Sequence, residues 1–304
     1  MLKIGVGCHK TLTSYVIFIY TYTSKQLAMN KFFTLASATL LAASALLSTS
    51  CSTNHTAVEN TLVGNGPVGK KSFKIKDFSE VNAGHQFDVK ITTGENYSVT
   101  VKAPSDVFRY LDISKNGARL AIDWNTNDNK ILNQLSNKKV QVMVSMPALD
   151  KASAYGQSSF IISGDAFGNK LVLDAANQSV MKLKDSFKTD MLTVTMASQT
   201  QVSCENITTK NVSISTASQS QFSCKDIVAT DVTVECSSQS EANIGSITAT
   251  YVNLTTGSQS NIRVKNCKAE NLDANASSQS AITVTKNNCR SVSRSTSNQA
   301  TINI

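Results

Sequence analysis

The chain has 304 residues, 41% of them hydrophobic, and a formal charge of +8, enough apolar side chain for one large domain or two ordinary ones. Residues 1–50 hold four lysines and no acid, which leaves 25 basic against 21 acidic residues from Cys51 onward. The basic excess is therefore concentrated in the first segment, and no nucleic-acid partner is expected.

Residues 1–28 read as an upstream extension, because Met29 opens a better start and the apolar stretch Tyr15 to Tyr20 is far too short to cross a bilayer. From Met29-Asn30-Lys31 the run Phe32 to Leu47 leads through small residues to Cys51. A charged start, an apolar centre and a small-residue exit are the parts of a secretory signal. Residues 29–50 resemble a bacterial lipoprotein signal peptide, which implies cleavage before Cys51 and acylation of its thiol. Leu47 lies four residues before the cysteine, where three is usual, and the plain alternative is an ordinary signal peptide cut nearby. Residues 51–63 read as a flexible tether, and the expected location is the outer membrane, on either face.

Residues 64–148 form an N-terminal head or cap. Alternating runs at Phe73 to Ile75, Phe87 to Ile91, Tyr97 to Val101, Leu120 to Ile122 and Val140 to Val144 predict strands. Turns fall at Gly94-Glu95-Asn96 and Asn116-Gly117.

Residues 149–304 are a repeat. Glutamines recur at 157, 178, 199, 219, 239, 259, 279 and 299, spaced by 21, 21 and then 20 residues. Three and five residues after each lies an apolar pair, such as Phe222/Cys224 or Ile262/Val264, and seven and five residues before lies another, such as Val232/Val234 or Val252/Leu254. Period-two alternation on both sides predicts strands. A third apolar column, Ile207, Ile227, Ile247 and Cys267, adds a third short strand per coil. Gln86, with Val89 and Ile91 at the same offsets, starts the first coil, and the 71 residues to Gln157 hold extra strands, hairpins among them, that cap it.

Coils of equal length stack in register, each strand pairing with its copy about 4.8 Å away. The predicted fold is all-β: a right-handed parallel β-helix of about 20 residues per coil with an N-terminal β-rich cap. Five or six buried apolar side chains contribute roughly 10 kcal/mol to a coil, less than the backbone entropy of ordering it at about 1–2 kcal/mol per residue. Stability must come from stacking.

If alternation runs unbroken through Ser-Gln-Ser, the serines before the glutamines (Ser198, Ser218, Ser238, Ser258, Ser278) point inward and the glutamines outward. Gln199, Gln219, Gln239, Gln259, Gln279 and Gln299 would then form an external ladder of stacked amides. A ligand-binding stripe on that corner is the functional alternative. The outward Ser, Thr and Asn columns suit a neutral polar surface such as glycan, although a solvated sheet face also explains them. An ice-binding Thr-x-Thr face is broken by Ser213/Ser215 and Asp273/Asn275.

Several segments in order resemble the bacterial head GIN domain family, also labelled auto-transporter adhesin. They are Gly64-Asn65-Gly66, Phe78 to Val81, Gly84 with Phe87 to Gly94, Tyr97 to Val101, Val140 to Val144, and Pro147-Ala148-Leu149. The resemblance spans about residues 64–290 and implies an exported β-helical protein with no established activity. Family members commonly carry Ser-Gly or Gly-Ser at the repeat corner, where this chain has Ser-Gln-Ser.

No catalytic residue, metal site or cofactor is expected. Histidine occurs only at 9, 55 and 85, so any Ser-His-Asp or Cys-His site would need His85. Cys204, Cys224, Cys236, Cys267 and Cys289 all fall in inward columns without Cys-x-x-Cys spacing, which predicts buried free thiols instead of zinc or a disulfide framework. A polysaccharide-active enzyme on the same fold is the rival, but outward Glu235, Glu241, Arg263 and Asp273 scatter over different columns. The main reading is a non-catalytic envelope lipoprotein with an adhesin-like or structural binding role. Its partner would be a glycan or another surface protein, with membrane contact only through the anchor. The last strand, Ile302-Asn303-Ile304, lies on an inward column, so a homodimer through the C-terminal edge is a further expectation.

Overall fold

The computed structural model describes residues 62–165 and 167–304. Cys51, the signal segment, the tether up to residue 61 and the upstream extension lie outside the described residues.

The head opens with β1 (Val68–Phe73), β2 (Glu80–Ala83), β3 (Phe87–Thr93) and β4 (Ser98–Pro104). A short 3-10 segment (Ser105–Tyr110) leads to β5 (Leu111–Asn116), β6 (Arg119–Trp124), the helix α1 (Asn129–Leu135) and β7 (Val140–Met146). Coils follow as β8 (Leu149–Ala154), β9 (Ser159–Ser163), β10 (Phe167–Ala175), β11 (Val180–Leu183), β12 (Phe187–Lys188), β13 (Met191–Met196) and β14 (Gln201–Thr208). Next come β15 (Asn211–Thr216), β16 (Gln221–Val228), β17 (Asp231–Cys236), β18 (Glu241–Thr256) and β19 (Asn261–Ala276). The last coil holds β20 (Ala281–Asn287), β21 (Ser291–Thr296) and β22 (Thr301–Asn303).

Every pairing along the coils is parallel, and identical repeat positions meet. Val194, Ile214, Val234, Leu254 and Ala274 are successive partners on one face. Val202, Phe222, Ala242, Ile262 and Ile282 are partners on the second. Ile207, Ile227, Ile247 and Cys267 form the third. All of these side chains are buried, Ala242, Leu254 and Ile262 completely. The architecture is a parallel β-solenoid in which one apolar column per face runs the length of the molecule.

The head continues two of these sheets. On one face β2 lies between β6 and β8, parallel to both, and the hairpin β5–β6 closes around Asn116-Gly117, with Gly117 at φ 60°. On the second face β3 lies between β7 and β9, also parallel, and β4 and β1 then add antiparallel. Residues 79–93 are thus the first coil, and the antiparallel strands cap the sheet beyond it. The strand expected at Phe73 to Ile75 begins and ends earlier, at Val68–Phe73. Helix α1 had no counterpart among the expected elements. Asp128 caps it by accepting the Lys130 N–H at 2.8 Å, and Leu135 is buried beneath it.

At the far end, β21 and β22 are paired on one side only among the described residues, with β19 and β20. There the inward columns change character. Asn287 follows Cys267, and Arg294 follows Ala274, its guanidinium donating to the Ile304 carbonyl at 3.0 Å.

Candidate functional site

The corner that carries the glutamines is built from two consecutive left-handed residues. His85-Gln86, Gly156-Gln157, Asn177-Gln178, Ser198-Gln199 and every later Ser-Gln pair, then Asn298-Gln299, have φ between 51° and 70°. Each such L-residue costs about 1–2 kcal/mol relative to ordinary backbone. The cost is met by a second ladder: each glutamine N–H, from Gln86 to Gln279, donates to the carbonyl of the residue preceding the next coil's glutamine at 2.8–3.0 Å. At Gly156 the approach is close; a Cβ there would lie 3.0 Å from the His85 nitrogen.

Two left-handed residues reset the alternation. Ser198, Ser218, Ser238, Ser258 and Ser278 are therefore exposed, contrary to the inward placement expected for them. The inward residue is the one after the glutamine: Ser158, Ser179, Thr200, Ser220, Ser240, Ser260 and Ser280 are buried. Each hydroxyl needs a partner there. Ser240 Oγ meets the Thr216 carbonyl and hydroxyl, each at 2.9 Å, and accepts the Ser237 N–H at 3.1 Å. The sequence argument failed because it carried a strand's period through a turn.

Outside, the side-chain amides form a directional chain. Gln86 Nε2 donates to Gln157 Oε1, and each later Nε2 donates to the next coil's Oε1 at 2.8–3.2 Å, ending at Gln299. All eight bonds point the same way, so an acceptor is left over at the head end and donors at the other. Gln86 Oε1 is the only buried side-chain nitrogen or oxygen among the described residues without a hydrogen-bond partner.

Two hollows follow this corner. An open groove of about 530 Å³ runs beside Asn177, Gln178 and the Ser-Gln pairs at 198–199, 218–219 and 238–239, lined by uncharged groups alone. A second, of about 350 Å³, lies where the ladder meets the head, between His85, Gln86 and Gln157 on one side and Leu132, Asn133 and Ser136 of the α1 region on the other. His85 Nδ1 is 2.9 Å from Asp123 Oδ1, Asp123 also accepts the Trp124 N–H, and the Trp124 indole donates to the His85 carbonyl at 3.1 Å. Trp124 stacks on Phe87, with ring centroids 4.6 Å apart. The His85–Asp123 pair was not anticipated. His85 precedes a register glutamine, which was a signal, but Asp123 arrives through β6 and carried none.

The thiols are free. Burial pushes Cys204 well above its ordinary value and raises Cys224 to about 12 and Cys236 to about 11, the last in spite of hydrogen bonds from Thr216 and Ser240. Such thiols are poor nucleophiles. Cys289, expected inward, is only half-buried. Among the described residues no three His, Cys, Asp or Glu side chains gather as a metal site. Glu241 and Arg263 pair with each other, while Glu235 and Asp273 stand in other columns. No helix among the described residues is long and apolar enough to cross a membrane.

The family model "Putative auto-transporter adhesin, head GIN domain" matches residues 77–250 and 189–304. The chain belongs to this family. Solved structures share the fold of this head GIN domain protein at low identity. A "putative adhesin" from Parabacteroides merdae superposes with a TM-score of 0.68 at 15% identity, covering 79% of this chain and 98% of its own. A "putative adhesin" from Parabacteroides distasonis gives 0.69 at 14%, covering 80% and 99%. A "putative lipid binding protein" from the same organism gives 0.66 at 19%, covering 79% and 97%. No protein of curated function matches in sequence.

Proposed function

We propose that this protein is an exported, lipid-anchored module of the cell envelope that binds glycan along its glutamine corner and performs no catalysis. The observation that carries the reading is the groove beside Gln178 to Gln239, whose lining is hydroxyl and carboxamide without a charge. Each glutamine spends one N–H and one lone pair on the ladder and keeps one of each for a ligand. Hydroxyl-rich polymers both donate and accept, and a groove that repeats at every coil suits a polymer better than a single small molecule. The adhesin names of the family and of two structural relatives support a binding role. The anchor rests on the signal segment and Cys51.

A glycan and matrix-protein array probed with the domain from residue 62 onward tests the first part. Retention on glycans that is lost in the Gln199→Ala/Gln219→Ala double variant, with unchanged circular dichroism, supports it. Retention on proteins alone, or binding indifferent to the corner, overturns it. For the anchor, an acyl mass on Cys51 and detergent-phase partitioning abolished by Cys51→Ser are expected; a mature chain without acyl mass in the aqueous phase refutes it.

Against an enzyme stands the arrangement of the ionisable groups: Glu241 and Arg263 neutralise one another, and His85 is held by Asp123 with no nucleophile among the described residues bonded to its ring. Any glycan turnover abolished by one acidic substitution would reverse this reading. Pairing through the C-terminal edge is opposed by Arg294, an inward-column charge of the kind that blunts sheet edges.

A further inference from the structure

We propose that Cys267 and Cys289 are a dithiol that closes to a disulfide under oxidising conditions and staples the last coil to the one before it. Their sulfurs already lie 3.5 Å apart, with Cys289 Sγ also 3.7 Å from the Cys267 carbonyl. The geometry owes nothing to the functional reading above.

The convergence has a local cause. Cys267 is in register with Asn287, so Cys289 is displaced by two positions along the next coil. There β20 ends, the Asn288 N–H donates to the Cys267 carbonyl at 2.8 Å, and Asn287 Oδ1 accepts the Cys289 N–H at 3.0 Å. The ladder runs on in the same register, the Arg290 N–H donating to the Ala269 carbonyl at 3.0 Å, so Cys289 stands diagonally across from Cys267 with the two sulfurs in contact. Cys204 and Cys224 show the contrast. They are direct register partners with parallel side-chain directions, and Cys224 Sγ faces the carbonyls of Glu205 and Asp226 at 3.6 and 3.5 Å. Cys236 is occupied by the Thr216 hydroxyl at 3.1 Å. Among the described residues only the 267/289 pair has sulfur facing sulfur.

A disulfide requires the two sulfurs to close to about 2.05 Å, an approach of about 1.5 Å. The oxidant is a disulfide compound of the thiol–disulfide exchange class. Half-exposed Cys289, as thiolate, attacks it and releases the first thiol, leaving a mixed disulfide. The Cys267 thiolate then attacks the Cys289 sulfur and expels the second thiol. Two thiol protons and two electrons leave the protein, and one disulfide outside is reduced to two thiols. Burial first, and then Cys289, raises the Cys267 thiol to about 12, so its ionisation is the demand of the second step, which the contact between the two sulfurs makes intramolecular.

The staple would act where the solenoid is weakest. Among the described residues strands β21 and β22 have partners on one side only, and Val292 and Ile302 are only half-buried. End coils of a solenoid open before its middle. Cross-linking residues 22 apart removes much of that freedom.

The test equilibrates the reduced full chain with oxidised and reduced glutathione, quenches with acid and an alkylating agent, and maps peptides by mass. The expected result is a linked pair of peptides containing Cys267 and Cys289, about 2 Da below their reduced sum, with Cys204, Cys224 and Cys236 alkylated only after unfolding. Amide exchange in residues 291–303 should slow at least tenfold on oxidation, about 1.4 kcal/mol or more. The Cys289→Ser and Cys267→Ser variants should show no slowing. Glutathione retained on Cys289 without a link, a link between other cysteines, or a link without slower exchange would overturn the proposal.

Discussion

Replacing Ser238 by glycine should stabilise the protein, against the usual effect of glycine in a β structure. Ser238 has φ 54°, is exposed, and its hydroxyl has no partner among the described residues. Its left-handed backbone costs about 1–2 kcal/mol, which glycine escapes, while glycine's extra freedom in the unfolded chain returns about 0.4–1 kcal/mol. The net expectation is a gain of roughly 0.5–1 kcal/mol. Two controls bracket it. Ser213→Gly, on an outward strand position of β15, should lose roughly 0.5–1 kcal/mol. Ser240→Ala removes three hydrogen bonds from a fully enclosed hydroxyl, although the Ser237 N–H keeps its bond to the Thr216 carbonyl, for a loss of about 1–3 kcal/mol. Urea titrations followed by circular dichroism should rank the midpoints Ser238→Gly, wild type, Ser213→Gly, Ser240→Ala at constant slope. If Ser238→Gly falls beside or below Ser213→Gly, Ser238 is an inward strand position as in the unbroken alternation of the sequence reading, and the left-handed pair is wrong.

Gln239→Leu severs two rungs, at 3.2 and 3.1 Å, without altering the backbone. A loss of roughly 1–2 kcal/mol is expected because both bonds are exposed, together with faster exchange of the Gln219 side-chain amide, while Gln259 keeps its donor bond to Gln279; unchanged exchange at Gln219 would show that the rungs are not persistent. Asp106 should unlock residues 64–66 in acid. Burial opposes its ionisation, but N–H bonds from Gly64, Gly66, Asn65 and its own backbone prevail and hold the carboxyl below its ordinary 3.8. A depressed carboxyl stabilises above its unfolded value and ceases to as pH falls through the folded one, so the Gly64 and Gly66 amides should lose exchange protection below about pH 3.8. Asp106→Asn should remove that pH dependence, and protection that persists in the variant would count against it. Arg294→Leu restores the apolar column of Val234, Leu254 and Ala274 at the open edge, and should produce concentration-dependent association in sedimentation velocity that the wild type lacks.

The repeat was legible because burial in a solenoid is periodic in sequence. The pairs Phe222/Cys224 and Val232/Val234 had to be inward, and a glutamine every 20 residues fixed the register as far back as Gln86. What escaped has a common physical origin. A two-residue left-handed turn leaves no hydropathy trace, so Ser238 and Ser240 look alike in the sequence although one is exposed and the other sealed. Helix α1 is seven residues long, too short for a clear 3.6-residue period, although Asp128 ahead of Ile131 and Leu135 was a usable signal. The contacts His85–Asp123 and Cys267–Cys289 depend on which strand lies beside which, and no local pattern encodes that.

Translational symmetry also explains why the fold speaks so weakly about function. A catalytic or highly selective site needs unlike groups brought together with their ionisation tuned against one another. Stacked copies of one coil bring like groups together instead: serine on serine, glutamine on glutamine. Charge placed in such a column repels its own copy, and the corner columns are accordingly neutral. Distinct chemistry can arise only where the symmetry is broken. On this molecule that happens at the head seam, where a histidine held by an aspartate, an aromatic pair and an unpaired amide oxygen meet, and at the last coil, where two thiols converge. The coils between supply length and many weak, identical contacts, whose combined strength grows with the number engaged. Substitutions along the corner should therefore weaken binding in proportion to the number of coils altered, whereas a change at the seam should alter which ligand is bound.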